Sequence, residues 1–234
     1  DGARQGRPGR TSCAMSRPAD PVVILGSQSP RRRELLAYLL GSECVRVVVP
    51  QLIEEPGFGD VSTLEAIDAR LLHVARVKHD DVAAQVHHQD TLSCIVAADT
   101  VIVAFDGAGQ PVVLGQPPSD PATHHRTVRD WFERYYAGRR HLAKTAICVG
   151  APGAPRHEIV TTTEVWFRSD AGEFIDWYLA TNEPQGKAGG YAIQEAGSLF
   201  VERLVGSLSN VVGLPLAETS RLLRQAGVTN SHQS

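Results

Sequence analysis

The chain has 234 residues, 42% of them hydrophobic, enough to bury the core of one large domain or of two small lobes. Its 23 lysines and arginines stand against 26 acidic side chains, a formal net charge of -3, so no global positive field recruits nucleic acid or an anionic membrane surface. Any anion site must be local.

Residues 1–20 are rich in Gly, Arg and Pro without periodicity and are expected to be disordered, with Met15 a candidate start. Residues 22–25 read as a short buried strand. Pro30 suits the first turn of a helix whose apolar side is Leu35, Leu36, Leu39 and Leu40. Residues 44–49 read as a second strand and 51–60 as a polar loop. A long helix is predicted over 63–84, where Leu64, Ile67, Leu71, Leu72, Val74, Ala75 and Val82 recur at helical spacing, leaving Arg70, Arg76, Lys78 and Asp81 for its polar sides. Residues 94–105 are a nearly continuous apolar run broken only by Asp99 and Thr100, the pattern of a central strand.

A second long helix is predicted over 120–136, capped by Ser119 or Asp120 with Pro121 behind it. Two strands follow, over 142–150 and 158–167. Ser169 or Asp170 is expected to cap a short helix over 172–179. A Gly-rich passage, a strand over 199–205 and a closing helix over 215–226 complete the chain. Strands and helices intermix without the strict alternation of a doubly wound sheet, so the expected class is α/β, a mixed sheet with helices packed around it. The domain spans 21–227, and 228–234 reads as a loose tail.

Three arginines, Arg31 to Arg33, stand where the first helix begins, close to the Ser27 hydroxyl. Amides at a helix start favour anions, and arginine's planar donors match phosphate oxygens. A phosphorylated ligand and a solvated basic turn fit this stretch equally well. Asp99 is easier to read, because a carboxylate inside an apolar strand is costly unless it is paired, metal-bound or at the strand's open end. A functional carboxylate is favoured there. Glu54 and Glu55, taken alone, read as a solvated acidic turn, and Lys78 as a surface lysine. Lys187 differs in its setting, since Gly186, Gly189 and Gly190 let the backbone approach a ligand closely, although a flexible turn also fits. The Gln194 carboxamide suits either a base edge or a satisfied buried position.

Four widely spaced cysteines, Cys13, Cys44, Cys94 and Cys148, have no paired metal-ligand spacing and read as free core thiols in a reducing compartment. The pairs His87–His88 and His124–His125 lack a partner at metal spacing and read as surface residues. No apolar run reaches membrane-span length, and the basic N-terminal stretch lacks the apolar core of a secretory signal, so a cytoplasmic location is expected. No Gly-x-Ser-x-Gly elbow, Walker loop or dinucleotide Gly motif occurs.

Taken together, GSQSPRRREL, AADTVIV, LGQPPSD and NEPQGKAGGYAIQEAGSLFVERLVGSLSNVVGLPL occur in the order, and near the spacing, of the Maf family of nucleoside triphosphate pyrophosphatases. The chain resembles that family from Val22 to Ala226. The resemblance implies an elongated mixed sheet, two lobes with a central cleft, and a fold akin to the inosine triphosphate pyrophosphatases. It also implies hydrolysis of a nucleoside triphosphate to the monophosphate plus pyrophosphate, a divalent cation, Mg2+ or Mn2+, and a homodimer.

Position by position, the resemblance makes Ser27, Arg31 and Arg32 a first phosphate-contacting block and Glu55 an acidic loop residue. It makes Lys78 the helix lysine and Asp99 the catalytic base, with Asp99 and Glu55 holding the metal. Lys187 and Gln194 belong to the last block. Arg31, Thr100 and Gln194 match the selecting positions of the dTTP and UTP hydrolysing branch, with modified pyrimidine nucleotides as further candidates. Two departures stand out. Gly115, Gln116 and Pro117 replace the usual Gly-Lys-Pro, and Gly186 replaces the Asp of Asp-Lys-Ala-Gly. Losing a charged phosphate contact costs roughly 1.5 to 3 kcal/mol, or about one to two powers of ten in rate if felt at the transition state. Gln116 therefore motivates an alternative, a catalytically impaired nucleotide-binding regulator, unless Lys144 substitutes for the missing charge.

Overall fold

The computed structural model describes residues 22–51, 57–86 and 92–228. The expectations for 1–20, Glu54, Glu55, His87, His88 and 229–234 lie outside the described residues.

Among the described residues, seven strands form one mixed sheet: β1 (Val22–Gly26), β2 (Val45–Val47), β3 (Leu92–Phe105), β4 (Pro111–Leu114), β5 (Arg140–Gly150), β6 (His157–Phe167) and β7 (Val201–Val205). The order across it is β2-β1-β3-β5-β6-β7, with β4 also paired to β3. The first three strands of that order run parallel and the remaining pairings are antiparallel. Strand β3 is the spine. One of its edges pairs with β5 from Ile95 to Val103. The other edge is shared: β1 pairs as far as Ala97, and β4 begins at Ile102. Between them, Ala98, Asp99, Thr100 and Val101 meet no strand on that edge among the described residues, so the sheet forks there.

Among the described residues, six α-helices surround the sheet: α1 (Pro30–Leu40), α2 (Leu64–Val86), α3 (Pro121–Trp131), α4 (Ile175–Ala180), α5 (Leu208–Val212) and α6 (Leu216–Gln225). Local chemistry sets several ends. Ser29 Oγ accepts from the Arg32 amide at 3.3 Å to cap α1, with Pro30 in its first turn. Asp120 Oδ2 accepts from the Thr123 amide at 2.9 Å to cap α3, which passes into a π-helical turn over Phe132–Tyr136. The expected cap by Asp170 is not made. Asp170 precedes a 3-10 turn over Ala171–Phe174, but its carboxylate pairs with the Arg168 guanidinium, a charged and two-pronged donor that outcompetes an amide. Two short elements escape the sequence reading, β4 with four residues and α5 with five, both too brief to show a period. The strand expected over 44–49 shortens to Val45–Val47, because Cys44 closes a 3-10 turn.

Strand alternation divides the core. On one sheet face Val23, Leu25, Val96, Ala98 and Ile147 pack on Leu36 and Leu40 of α1 and Leu222 and Leu223 of α6. Further along the same face Ile102, Ala143, Val165 and Phe167 meet Phe132, Tyr136, Tyr178 and Phe200. Phe132 and Phe200 lie edge to face with centroids 4.7 Å apart. Burying such side chains contributes about 1.5–3 kcal/mol each. Thr100 lies between these two cores, giving the two-lobed arrangement. The opposite face carries α2, whose Ile67, Leu71 and Ala75 cover Val101, Val103, Ala146 and Cys148.

Cys44, Cys94 and Cys148 are free and buried as expected, and burial pushes the Cys94 and Cys148 thiols up to about 12. His125 is exposed, but His124 is not. Its Nδ1 lies 3.1 Å from the Pro118 carbonyl, a polar partner that makes burial affordable. Among the described residues, no helix is long and apolar enough to cross a membrane.

Candidate active site

A cleft of about 580 Å³ opens at the fork, between the two cores. Ser27, Arg31, Arg32, Lys78, Asp99, Thr100, Lys187 and Gln194 all line it. Every site residue expected from the sequence is thus brought together, save Glu55, which lies outside the described residues. Gln51, the last described residue before that segment, also lines the cleft.

The turn after β1 fixes the first group. Ser27 Oγ accepts from the Ser29 amide at 3.2 Å and from Arg32 Nη1 at 3.3 Å. Arg32 Nε donates to the Gly213 carbonyl at 2.9 Å, and its Nη2 donates to Thr100 Oγ1, also at 2.9 Å. One guanidinium therefore ties the turn, the fork of β3 and the end of α5 together. Thr100 Oγ1 also shares a hydrogen bond of 2.9 Å with Thr145 Oγ1 on β5.

Asp99 turns to the other face. Its Oδ1 lies 2.6 Å from Lys78 Nζ, with the two side chains only 14% and 12% exposed. This corrects the reading of Lys78 as a surface lysine: α2 crosses the sheet face so that its late turns bring the amine to the strand's open edge. An ion pair so shielded interacts far more strongly than one in water.

Lys187 and Gln194 belong to the Gly-rich passage, and the sequence alone does not show what shapes it. The Glu183 carboxylate does. Though buried, it accepts from Tyr178 Oη at 2.9 Å and from the amides of Ala192, Ala196 and Gly197 at 3.3, 2.7 and 2.9 Å. Gly189, at φ 69°, donates its amide to the Gly115 carbonyl at 2.9 Å and accepts from Tyr136 Oη at 2.7 Å. A Cβ there would lie 2.6 Å from both Ile102 Cγ1 and Tyr136 Oη. Tyr191, which lines the cleft, is held from behind by His141, Nε2 to Oη 2.8 Å. Burial pushes the His141 imidazole down to about 3, so it is neutral.

Lys187 Nζ donates to the Glu183 carbonyl at 2.5 Å and lies 3.4 Å from Glu195 Oε2. Arg31 is ion-paired to the same Glu195 carboxylate. The hydrogen bond from Arg31, then the Lys187 charge, hold Glu195 below the usual carboxylate range. Nothing in the sequence singles out Glu183 or Glu195. A lone glutamate in a loop carries no signal until its partners are known.

Gln116 lines the cleft beside the anchored Gly115. Lys144 does not replace the missing lysine there. Alternation along β5 puts it on the α2 face, buried, with its amine 3.0 Å from Asp68 Oδ1 and 2.9 Å from Thr162 Oγ1.

The cleft is cationic with a single acid: Asp99 is the one carboxylate among the described residues that line it, beside Arg31, Arg32, Lys78 and Lys187. Among the described residues, no group of three or more His, Cys, Asp or Glu could hold a metal ion. One carboxylate nonetheless fits Mg2+, which binds through one or two carboxylates together with substrate phosphates.

A family model described as Maf-like protein matches residues 22–226, nearly all the described chain. The chain belongs to the Maf-like family. Among its relatives, the dTTP/UTP pyrophosphatase of Anaeromyxobacter dehalogenans is 41% identical over 212 residues, covering 88% of this chain and 95% of that protein. Proteins of Vibrio vulnificus and Deinococcus radiodurans, both also named dTTP/UTP pyrophosphatase, are 38% and 39% identical, covering 87% and 89% of this chain and 97% and 95% of theirs. Likeness to solved structures is more remote. A HAM1 protein from Coxiella burnetii superposes with a TM-score of 0.44 at 14% identity, covering 87% of this chain and 98% of that one.

Proposed function

We propose that this Maf-like protein hydrolyses dTTP and UTP to the monophosphate and diphosphate, water attacking the α-phosphorus while pyrophosphate leaves. The observation that carries the reading is the shielded Asp99–Lys78 pair at the fork of the sheet, in a cleft whose other charged lining residues among those described are Arg31, Arg32 and Lys187. The relatives' names point to the same substrates. Asp99 orients the water and accepts its proton. Lys78 keeps that carboxylate in place, and Arg31, Arg32 and Lys187 meet the charge that spreads over the phosphate oxygens as the anhydride bond breaks. The logic is positioning and electrostatics, since a triphosphate brings its own leaving group.

A divalent cation, Mg2+ or Mn2+, would be held by Asp99 and, as the family resemblance implies, Glu55. When bound it neutralises phosphate charge. Arg31, Thr100 and Gln194 occupy the positions that, by the same resemblance, select dTTP and UTP. A homodimer goes with the same resemblance, and a cytoplasmic location with the free core thiols.

The test is pyrophosphate release from a panel of nucleoside triphosphates with Mg2+ and with Mn2+. Preferential cleavage of dTTP and UTP supports the reading, and absence of release despite binding favours a nucleotide-binding regulator. Gln116 in the cleft is the specific observation behind that second reading. Gln116→Lys restores a cation and is expected to raise turnover by about one to two powers of ten if the transition state feels it.

A further inference from the structure

Three side chains expected to meet the nucleotide converge on a carboxylate of the protein itself. Arg31 is ion-paired to Glu195, Lys187 Nζ lies 3.4 Å from its Oε2, and Gln194 Nε2 lies 3.5 Å from its Oε1. A carboxylate bound by a guanidinium and an amine presents to them what a phosphate oxygen would. From this convergence we infer that Glu195 is a specificity-determining residue that competes with the substrate's phosphate chain for Arg31 and Lys187, so that a polyphosphate displaces it and a monophosphate does not. The inference rests on the proposed nucleotide site.

The local backbone suits a swinging side chain. The Glu195 amide donates to Ala192 O at 3.2 Å, and its carbonyl accepts from the Ser198 amide at 3.0 Å and Ser198 Oγ at 2.7 Å. The next two amides, of Ala196 and Gly197, are held by Glu183. The main chain is therefore pinned on both sides. The Glu195 side chain is 43% exposed and can turn into solvent without moving that loop. Charge then decides occupancy. A triphosphate or pyrophosphate offers several anionic oxygens to two cations and outbids one carboxylate. A nucleoside monophosphate offers fewer, so once pyrophosphate has left Glu195 regains its partners and favours departure of the monophosphate.

The experiment is calorimetric binding of α,β-imido-dUTP, inorganic pyrophosphate and dUMP to the wild-type protein, Glu195→Gln and Glu195→Ala, with urea midpoints recorded for each. Partly exposed ion pairs set a modest scale, so both variants are expected to bind the imido analogue and pyrophosphate about three- to tenfold more tightly. Binding of dUMP is expected to change less than either. Unchanged or weaker polyphosphate binding in both folded variants overturns the inference and makes Glu195 a positioning residue for Arg31 and Lys187. Equal tightening for dUMP overturns its charge selectivity. Wild-type turnover of dTTP and UTP, measured separately, tells failure of this inference from failure of the hydrolase reading, because the binding assay needs no cleavage.

Discussion

Chemistry and stability at the residue scale both turn on what surrounds a titratable group. Asp99 is readable from sequence alone, since an acid in an apolar strand demands a partner. Its partner, Lys78, is not readable, because a helix lysine signals nothing until the helix is laid across the sheet. Asp99→Asn keeps the shape and removes the proton acceptor. It should lower turnover by about 10²- to 10⁴-fold, as loss of a general base does, while near-ultraviolet circular dichroism stays unchanged. His141 gives a second prediction, for stability. Its folded value is about 3 against an ordinary 6.5, through burial. Between those values the unfolded chain takes up a proton that the folded chain refuses. The contribution is therefore complete above the unfolded value and is lost as pH falls, by up to about 1.4 kcal/mol per pH unit. Urea midpoints recorded from neutral to mildly acid pH should drop for the wild type and change less for His141→Gln.

Each element is placed by a few local devices, and these differ in how far sequence reveals them. The long β3 and α2 are written in their apolar periods, the start of α1 in Pro30, and the cap of α3 in Asp120 with Pro121 behind it. The fork in β3 is not written there, for it depends on where two other strands stop. Nor is the shape of the Gly-rich passage, which is set by Glu183 and by contacts distant in sequence. Gly189 is the sharpest case. Its positive φ and the crowding by Ile102 and Tyr136 leave no room for a side chain. Gly189→Ala should cost about 2–4 kcal/mol, from backbone strain together with overpacking. The loss should show in urea unfolding, with weaker nucleotide binding in the fraction that remains folded, because Lys187 and Tyr191 ride on that passage.

The whole molecule brings the two cores together around Thr100 and leaves the cleft where neither covers the sheet. An overall charge of -3 coexists with a cleft lined, among the described residues, by four cations and one acid. That local imbalance makes polyphosphate recognition sensitive to ionic strength, and the Michaelis constant for dTTP should rise as salt is raised toward about 0.5 M while circular dichroism holds steady. The family resemblance carried by the four sequence blocks anticipates which residues meet in the cleft. The internal competition from Glu195 and the diversion of Lys144 to Asp68 emerge only from the packed structure.

Hydrolysis of dTTP in heavy-oxygen water, with the products separated and weighed by mass spectrometry, tests the central claim most directly. Attack at the α-phosphorus predicts one labelled oxygen in the monophosphate, unlabelled pyrophosphate, and near-complete loss of both products in Asp99→Asn. Label in the pyrophosphate, or release of single phosphate groups, would contradict it.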